Sequence, residues 1–329
     1  MLLKPIILIL FLVSVSLTGI AQRVRKSKPL PAPTEGYLSL SIQLNAWRYA
    51  GDVAANFSFI RPGMSVFLMR KLSPHWQARL QLAVGRLEGD DASAPSTSGG
   101  YARNFHFRND IKELSTLLVY EFKSSYGKYA KRAKFTPYCL FGFGITHHNP
   151  KAKSPEKFNN TWVDLQALGT EGQGRIGYAK PYSKVVPVIP IGLGLRWRTS
   201  DKRWDFSVEI VPRYTFTDYL DDVSSEYPEM ADLANPLAVA FSNRSLETTS
   251  ARNNQARQME NVFANFGKPI TYIGTDGQNY STIADFQRGR DKRGNPNSKD
   301  FYLTVGFHLS YIMNEGLKCP QMRWKRGAN

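Results

Sequence analysis

Two adjacent histidines, His147 and His148, and three close acids, Asp218, Asp221 and Asp222, are the residue types in this chain most suited to chemistry. Neighbouring imidazoles could move a proton only with an acid or nucleophile held within hydrogen-bond reach. Asp52, Asp164 and Asp218 are available, but no motif ties any of them to the histidines, so catalysis is not expected. Clustered carboxylates could hold calcium, which takes several oxygen ligands. The run from Asp218 to Asp222 lacks the glycine and closing glutamate of an EF-hand loop, and a solvated acidic turn is the simpler reading. The two cysteines, Cys139 and Cys319, show neither zinc nor redox spacing and are too few for a disulfide framework. No metal, cofactor or small-molecule substrate is expected.

A second set of charges lies inside an oily pattern. In Trp204–Thr217 (WDFSVEIVPRYTFT) the residues Trp204, Phe206, Val208, Ile210, Pro212, Tyr214 and Phe216 share one side of an extended strand. Asp205, Glu209, Arg213 and Thr215 share the other. The same alternation marks Tyr37–Trp47, Arg61–Arg70, Trp76–Gly85, Ile111–Phe122, Phe135–Ile145, Val188–Trp197 and Phe301–Tyr311. A water-soluble sheet would turn the oily face to a core, whereas a transmembrane barrel turns it to lipid and keeps a polar lumen. Aromatic residues at strand ends decide between them, since rings with a polar edge settle at membrane interfaces. Tyr37, Trp76, Tyr120, Phe135, Trp197, Trp204 and Tyr311 are placed in one such girdle.

Eight strands of this length, joined alternately by short basic turns and long segments (88–110, 146–187 and 218–300), predict an all-β fold, an eight-stranded antiparallel transmembrane β-barrel with long extracellular loops. Arg79, Glu113, Arg196, Glu209 and Arg213 then share a lumen just wide enough for side chains to fill, where opposite charges pair and plug it. A gated pore is the alternative.

The chain opens with Lys4, an apolar run and a small-residue site ending at Ala21, which predicts a signal peptide over 1–21. Residues 22–36 form a basic, proline-containing arm, 37–312 the barrel, and 313–329 a basic tail. The expected location is the cell outer membrane, in contact with its lipid. Apart from the signal, no run approaches the ~20 apolar residues of a spanning helix.

Of a formal net charge of +16, nearly all falls on one side: eighteen basic residues in the arm, short turns and tail face only Glu35, Asp201 and Glu315. The balance there is +15. A basic periplasmic face steers acidic partners, with Lys128, Lys131, Arg132 and Lys134 in the second turn and Arg323, Lys325 and Arg326 in the tail as candidate contacts. Orientation during insertion is the bland explanation. Nucleic acid fits poorly with a secreted, oily barrel.

SFIRPG (58–63), DLQALGTEGQG (164–174), FTDYLDDVSSEY (216–227) and RGNPNSKDFYL (293–303) together resemble a PorG-like family of Bacteroidetes outer-membrane barrels, components of the type IX secretion system. The resemblance implies a barrel that docks to a periplasmic ring of secretion proteins. It brings no catalytic residues. A generic surface-interaction barrel and a small channel are the rival functions.

Overall fold

The computed structural model describes residues 34–233, 235–284 and 289–314. The expected signal peptide, most of the basic arm, and the tail with Cys319, Arg323, Lys325 and Arg326 lie outside the described residues.

The chain runs β1 (Leu38–Ala50), β2 (Arg61–Lys71), β3 (Trp76–Asp90), β4 (His106–Glu121), β5 (Phe135–His147), β6 (Pro150–Lys153), β7 (Trp162–Asp164), β8 (Val185–Arg198), β9 (Trp204–Thr215), β10 (Pro269–Ile273), β11 (Asn279–Ile283) and β12 (Phe301–Asn314). Three helices sit in the long connections: α1 (Gly99–Arg103), α2 (Pro236–Ser242) and α3 (Met259–Phe266). Strands β1, β2, β3, β4, β5, β8, β9 and β12 pair antiparallel with their neighbours, and β12 pairs back onto β1. The sheet is therefore closed, with every spanning strand hydrogen-bonded on both sides. Closure is what allows strands to cross a bilayer, because no edge is left in hydrocarbon.

The alternation dictates which side chains face out. Ile42, Leu44, Leu82, Phe143, Leu193, Ile210 and Phe307 are among the many apolar residues exposed on the outer wall, while Ser41, Gln43, Ser65, Gln81, Ser115 and Ser207 are buried within. In water this surface would be a large association patch; in lipid it is the low-energy face. Among the described residues no helix is long and apolar enough to cross a membrane.

All eight predicted spanning strands are present, and several are longer than predicted at the long-loop end. Sixteen residues of β4, at ~3.4 Å per residue and a tilt near 45°, rise roughly 38 Å against an apolar band about 25 Å tall. The surplus stands clear of the lipid. There β3 and β4 stay paired as far as Asp90 and His106, which shortens the connection expected over 88–110.

The short-turn girdle forms as pairs of rings: Trp204 with Tyr311 at 4.8 Å, Trp76 with Tyr120 at 5.0 Å, and Phe135 with Trp197 at 5.5 Å between centroids. Tyr37 is not among them. It is 6% exposed, on the same parity as Ser39 and Ser41, and its ring lies edge-on to Tyr129.

The long connection between β9 and β12 folds against the barrel's long-loop end. Leu220, Val223 and Tyr227 from it, with Val53 and Phe105 from other loops, join Trp47, Tyr49, Leu87, Phe107, Val188 and Tyr302 from the strands in one apolar core. Trp47 lies against Gly63 and Gly85, where a Cβ would stand only 2.2 and 2.4 Å from the indole. Only glycine admits the ring there.

Candidate functional site

The structure places the five predicted lumen residues inside the barrel but distributes them over three tiers. In the middle tier Glu209 of β9 receives Arg79 of β3 in a bidentate pair (2.5 and 3.0 Å). Tyr138 donates to the same carboxylate at 2.6 Å and Gln43 at 3.1 Å. Phe67 lies under the Arg79 guanidinium at 4.2 Å. The tier nearer the long loops centres on Glu113, which accepts from Arg213 Nε at 2.8 Å and from the Tyr302 hydroxyl at 2.6 Å. Tyr302 in turn stacks on Trp47, 5.2 Å between centroids.

The tier at the short-turn end holds Arg196 and five residues that were not singled out as lumen groups. Glu121 accepts from Lys71, Gln77 and Arg196. Asp205 accepts from Arg132 through Nη2 at 2.7 Å and Nε at 3.2 Å. Lys71, Glu121 and Asp205 could have been found from the sequence, since each falls on the inward parity of its strand. Arg132 carries no such signal because it comes from a turn.

Arg132 corrects the expected partner surface. It was grouped with Lys128, Lys131 and Lys134 on an open basic face, yet it is 1% exposed and reaches into the barrel mouth. An unpaired Asp205 in the mouth would carry a large desolvation cost, and the guanidinium removes it with two charge-assisted hydrogen bonds. Lys71 is likewise turned inward. Lys123, Lys128, Lys131, Lys134 and Lys202 remain exposed at this end. Part of the basic surplus read from the sequence is thus internal pairing.

At the other end the long connections interlock through buried charge. Arg293 donates to Glu171 at 2.8 Å and to the carbonyl of Asp222 at 2.5 Å. Glu171 also accepts the amide of Ser224 at 2.8 Å, and Thr170 donates to Asp222 at 2.5 Å. The GTEGQG and TDYLDDVS segments therefore meet face to face and form one unit. Arg103 pairs with Asp91 at 2.8 Å and reaches the carbonyls of Asp52 and Arg293, each at 2.8 Å.

The acidic run expected to be a solvated turn is instead buried: Asp218, Asp221 and Asp222 are 2%, 2% and 1% exposed. Leu220 and Val223 between and beside them enter the core and draw the carboxylates under cover. Tyr49 donates to Asp221 Oδ2 at 2.5 Å and lies 3.0 Å from Asp300 Oδ1. One hydroxyl carries one proton, so this pair of carboxyls is satisfied best when one is itself protonated. Burial pushes both upward, with the charge of Asp52 adding to the rise of Asp221 and that of Asp221 to the rise of Asp300. Burial also lifts Asp218 and Asp222 to about 6. Among the described residues no group of three or more His, Cys, Asp or Glu is disposed to hold a metal.

The two histidines part company. His147 is exposed on the outer wall, while His148 is buried, stacked on Tyr182 and 2.9 Å from the Ser183 carbonyl. Burial lowers its pKa to about 4, which keeps it neutral. Asp164 is engaged with Lys151 at 2.8 Å and with Asn149 at 2.9 Å.

Closed eight-strand pairing, an apolar outer wall and a polar, charge-paired interior define an eight-stranded transmembrane β-barrel of the outer-membrane type. The model of a family described as a domain of unknown function, DUF6089, matches residues 37–160. No curated protein matches the chain. Similar solved structures include Neisserial surface protein A (5% identity, 84% of this chain and 97% of that one, TM-score 0.36). Ail, the attachment invasion locus protein of Yersinia pestis, is similar at 9% identity over 85% of this chain and 100% of its own, with a TM-score of 0.35. A major outer membrane protein from Thermus thermophilus follows at 9% identity, 84% and 99% coverage and a TM-score of 0.34. Likeness this distant adds nothing to the fold, which rests on the strand pairing.

Proposed function

We propose that this barrel sits in the outer membrane, with its short turns in the periplasm, and anchors an acidic surface of a periplasmic ring of the type IX secretion machinery. The observation that carries the reading is a contrast along the barrel axis. The lumen is filled by three tiers of buried ion pairs, which suits a post better than a conduit, while Lys123, Lys128, Lys131, Lys134 and Lys202 stay exposed at the short-turn end. The segments that resemble PorG-like barrels supply the identity of the partner. Exposed pairs contribute only ~0–1 kcal/mol each, so docking depends on several together and weakens with salt.

The test is a variant with Lys123, Lys128, Lys131, Lys134, Arg323, Lys325 and Arg326 changed to Gln. It is scored for insertion, for co-purification of secretion-ring proteins and for cargo export. Normal insertion with loss of ring capture supports docking; normal insertion with both capture and export intact refutes it.

A further inference from the structure

The apolar outer wall ends differently at the barrel's two rims. At the short-turn rim, ring pairs occupy β3 with β4, β5 with β8 and β9 with β12. At the long-loop rim Tyr214 of β9 and Phe301 of β12 repeat the pattern, stacked 6.0 Å between centroids. Followed round the closed sheet, with allowance for its stagger, the strand registers put Lys112 of β4 and His147 of β5 at the height of those two rings. Where rings would settle among lipid headgroups, these two strands carry basic side chains instead.

Lys112 and His147 are direct cross-strand partners, both exposed on the outer wall. Side chains so placed leave the sheet within ~5.5 Å of each other. Among the described residues neither has an ion-pair or side-chain hydrogen-bond partner. Asp110, one step nearer the long loops on the same face of β4, is taken by Arg86 in a bidentate pair (2.6 and 3.2 Å). Beyond it a single carboxylate, Asp164, serves two lysines: Lys151 pairs with it at 2.8 Å and Lys184 also acts on its charge. This side of the rim is left with positive charge that the protein does not compensate.

The wall beneath is apolar. Lys112 stands opposite Val84 of β3, and the next outward residues toward the short-turn end are Leu82, Leu114, Ile145 and Phe143, all exposed. A soluble anion could use the two basic groups but not the wall, and a neutral lipid could use the wall but not the basic groups. A lipid that carries a phosphate uses both. Its tetrahedral headgroup offers several acceptor oxygens to two neighbouring donors, while its chains run down the apolar face.

We propose that Lys112 and His147 bind the phosphate of a membrane lipid whose acyl chains lie along Leu82, Leu114, Phe143 and Ile145. The orientation proposed above assigns this lipid to the outer leaflet. The contact itself needs no secretion partner, so it stands or falls separately from ring docking.

The experiment is native mass spectrometry of the full chain released from detergent with dioleoyl phosphatidate, dioleoylglycerol or oleate, and with glycerol 3-phosphate as competitor. Phosphatidate should be retained about fivefold or more over both dioleoylglycerol and oleate, as expected for basic groups at an anionic lipid surface. The variant Lys112→Gln/His147→Gln should lose that preference, and Lys268→Gln/Lys299→Gln, which removes exposed charge from the cap, should keep it. Both replaced side chains of the first variant are exposed and unpartnered, so its unfolding temperature should match wild type. Should that variant not fold, the ranking of the lipids by the wild-type chain decides alone. The proposal is overturned if phosphatidate has no preference over dioleoylglycerol or oleate, if the preference survives in the folded Lys112→Gln/His147→Gln variant, or if the cap variant loses it equally. Displacement of phosphatidate by an equal concentration of glycerol 3-phosphate would also overturn it, by making the site one for soluble phosphate.

Discussion

Charge is buried in two regions of this molecule, and the two are built differently. In the lumen the ionic contacts run from side chain to side chain across the barrel: Arg79 to Glu209, Arg213 to Glu113, Arg196 to Glu121. In the loop cap the arginines pair with carboxylates too, as Arg103 does with Asp91 and Arg293 with Glu171, but they also grip backbone. Arg257 donates to the carbonyls of Tyr101, Ala102, Ser245 and Glu247, and Arg244 to that of Lys153. The physical reason is the supply of acceptors. Strand carbonyls are consumed by the closed ladder, so the lumen offers little except side chains, whereas irregular loops leave carbonyls that need donors. Arginine, with five donors in a rigid fork, can serve several at once. The lumen is thus paired charge for charge, while the cap is stitched by arginine to both carboxylates and backbone and keeps a surplus of buried carboxyls.

The largest effect should come from breaking the middle tier. Glu209→Leu leaves Arg79 buried without its carboxylate, a loss of about 3–5 kcal/mol. The barrel's unfolding temperature in detergent should fall clearly, and the double variant Arg79→Met/Glu209→Leu should recover much of the loss. An unchanged single-variant melt would mean that water reaches the tier.

Next in size is the cap. Arg293→Met removes the partner of Glu171 and frees the 171–174 and 222–225 segments from each other, again about 3 kcal/mol but confined to loops. Hydrogen exchange should quicken over residues 169–174 and 217–227 with the strand amides of β1–β4 unchanged. Uniform quickening would show that cap and barrel open as one unit and dissolve the distinction drawn above.

A smaller effect is expected from pH, and only in the cap. Asp218, Asp221, Asp222 and Asp300 are all raised in the folded state, chiefly by burial. Folding therefore favours their protonated forms. Their contribution is complete below the ordinary aspartate value of 3.8 and is lost as pH rises, through about 6 for Asp218 and Asp222 and about 7 for Asp221. Cap exchange, corrected for intrinsic rates, should be slower at acid pH than at alkaline pH, and Asp300→Asn should flatten the dependence. A cap that tightens as pH rises would contradict the assignment.

The smallest effect belongs to the exposed lysines. Lys131→Gln should alter the melt by no more than ~1 kcal/mol, as for an exposed charge. Its neighbour Arg132→Gln should behave like a lumen variant because it strands Asp205. Equal effects from the two would return Arg132 to the surface.

How much of this was legible follows from the same division. Strand number, pairing order and facing were readable because a period of two assigns each side chain to lipid or lumen, and the parity that placed Glu209 also places Lys71, Glu121 and Asp205. Tyr37 was misassigned by its position at a strand end although its parity pointed inward. The cap was not readable. Arg257, Arg103 and Arg293 find their acceptors across 156, 190 and 122 residues of chain, in the bonds to Tyr101, Arg293 and Glu171 respectively, and no local period encodes such contacts. Asp221 and Asp222 looked like a solvated turn because nothing nearby announces that Leu220 and Val223 enter the barrel core.

The central claim is that the barrel is closed along its length by side-chain pairs rather than merely lidded by its loops. Conductance of the purified protein in planar bilayers tests this directly, comparing wild type with a variant in which 218–299 is replaced by a short Gly-Ser turn. The account predicts no steady current from either, because the three tiers remain when the cap is gone. A stable, ohmic conductance in the trimmed barrel that vanishes in the intact one would assign closure to the loops and contradict it.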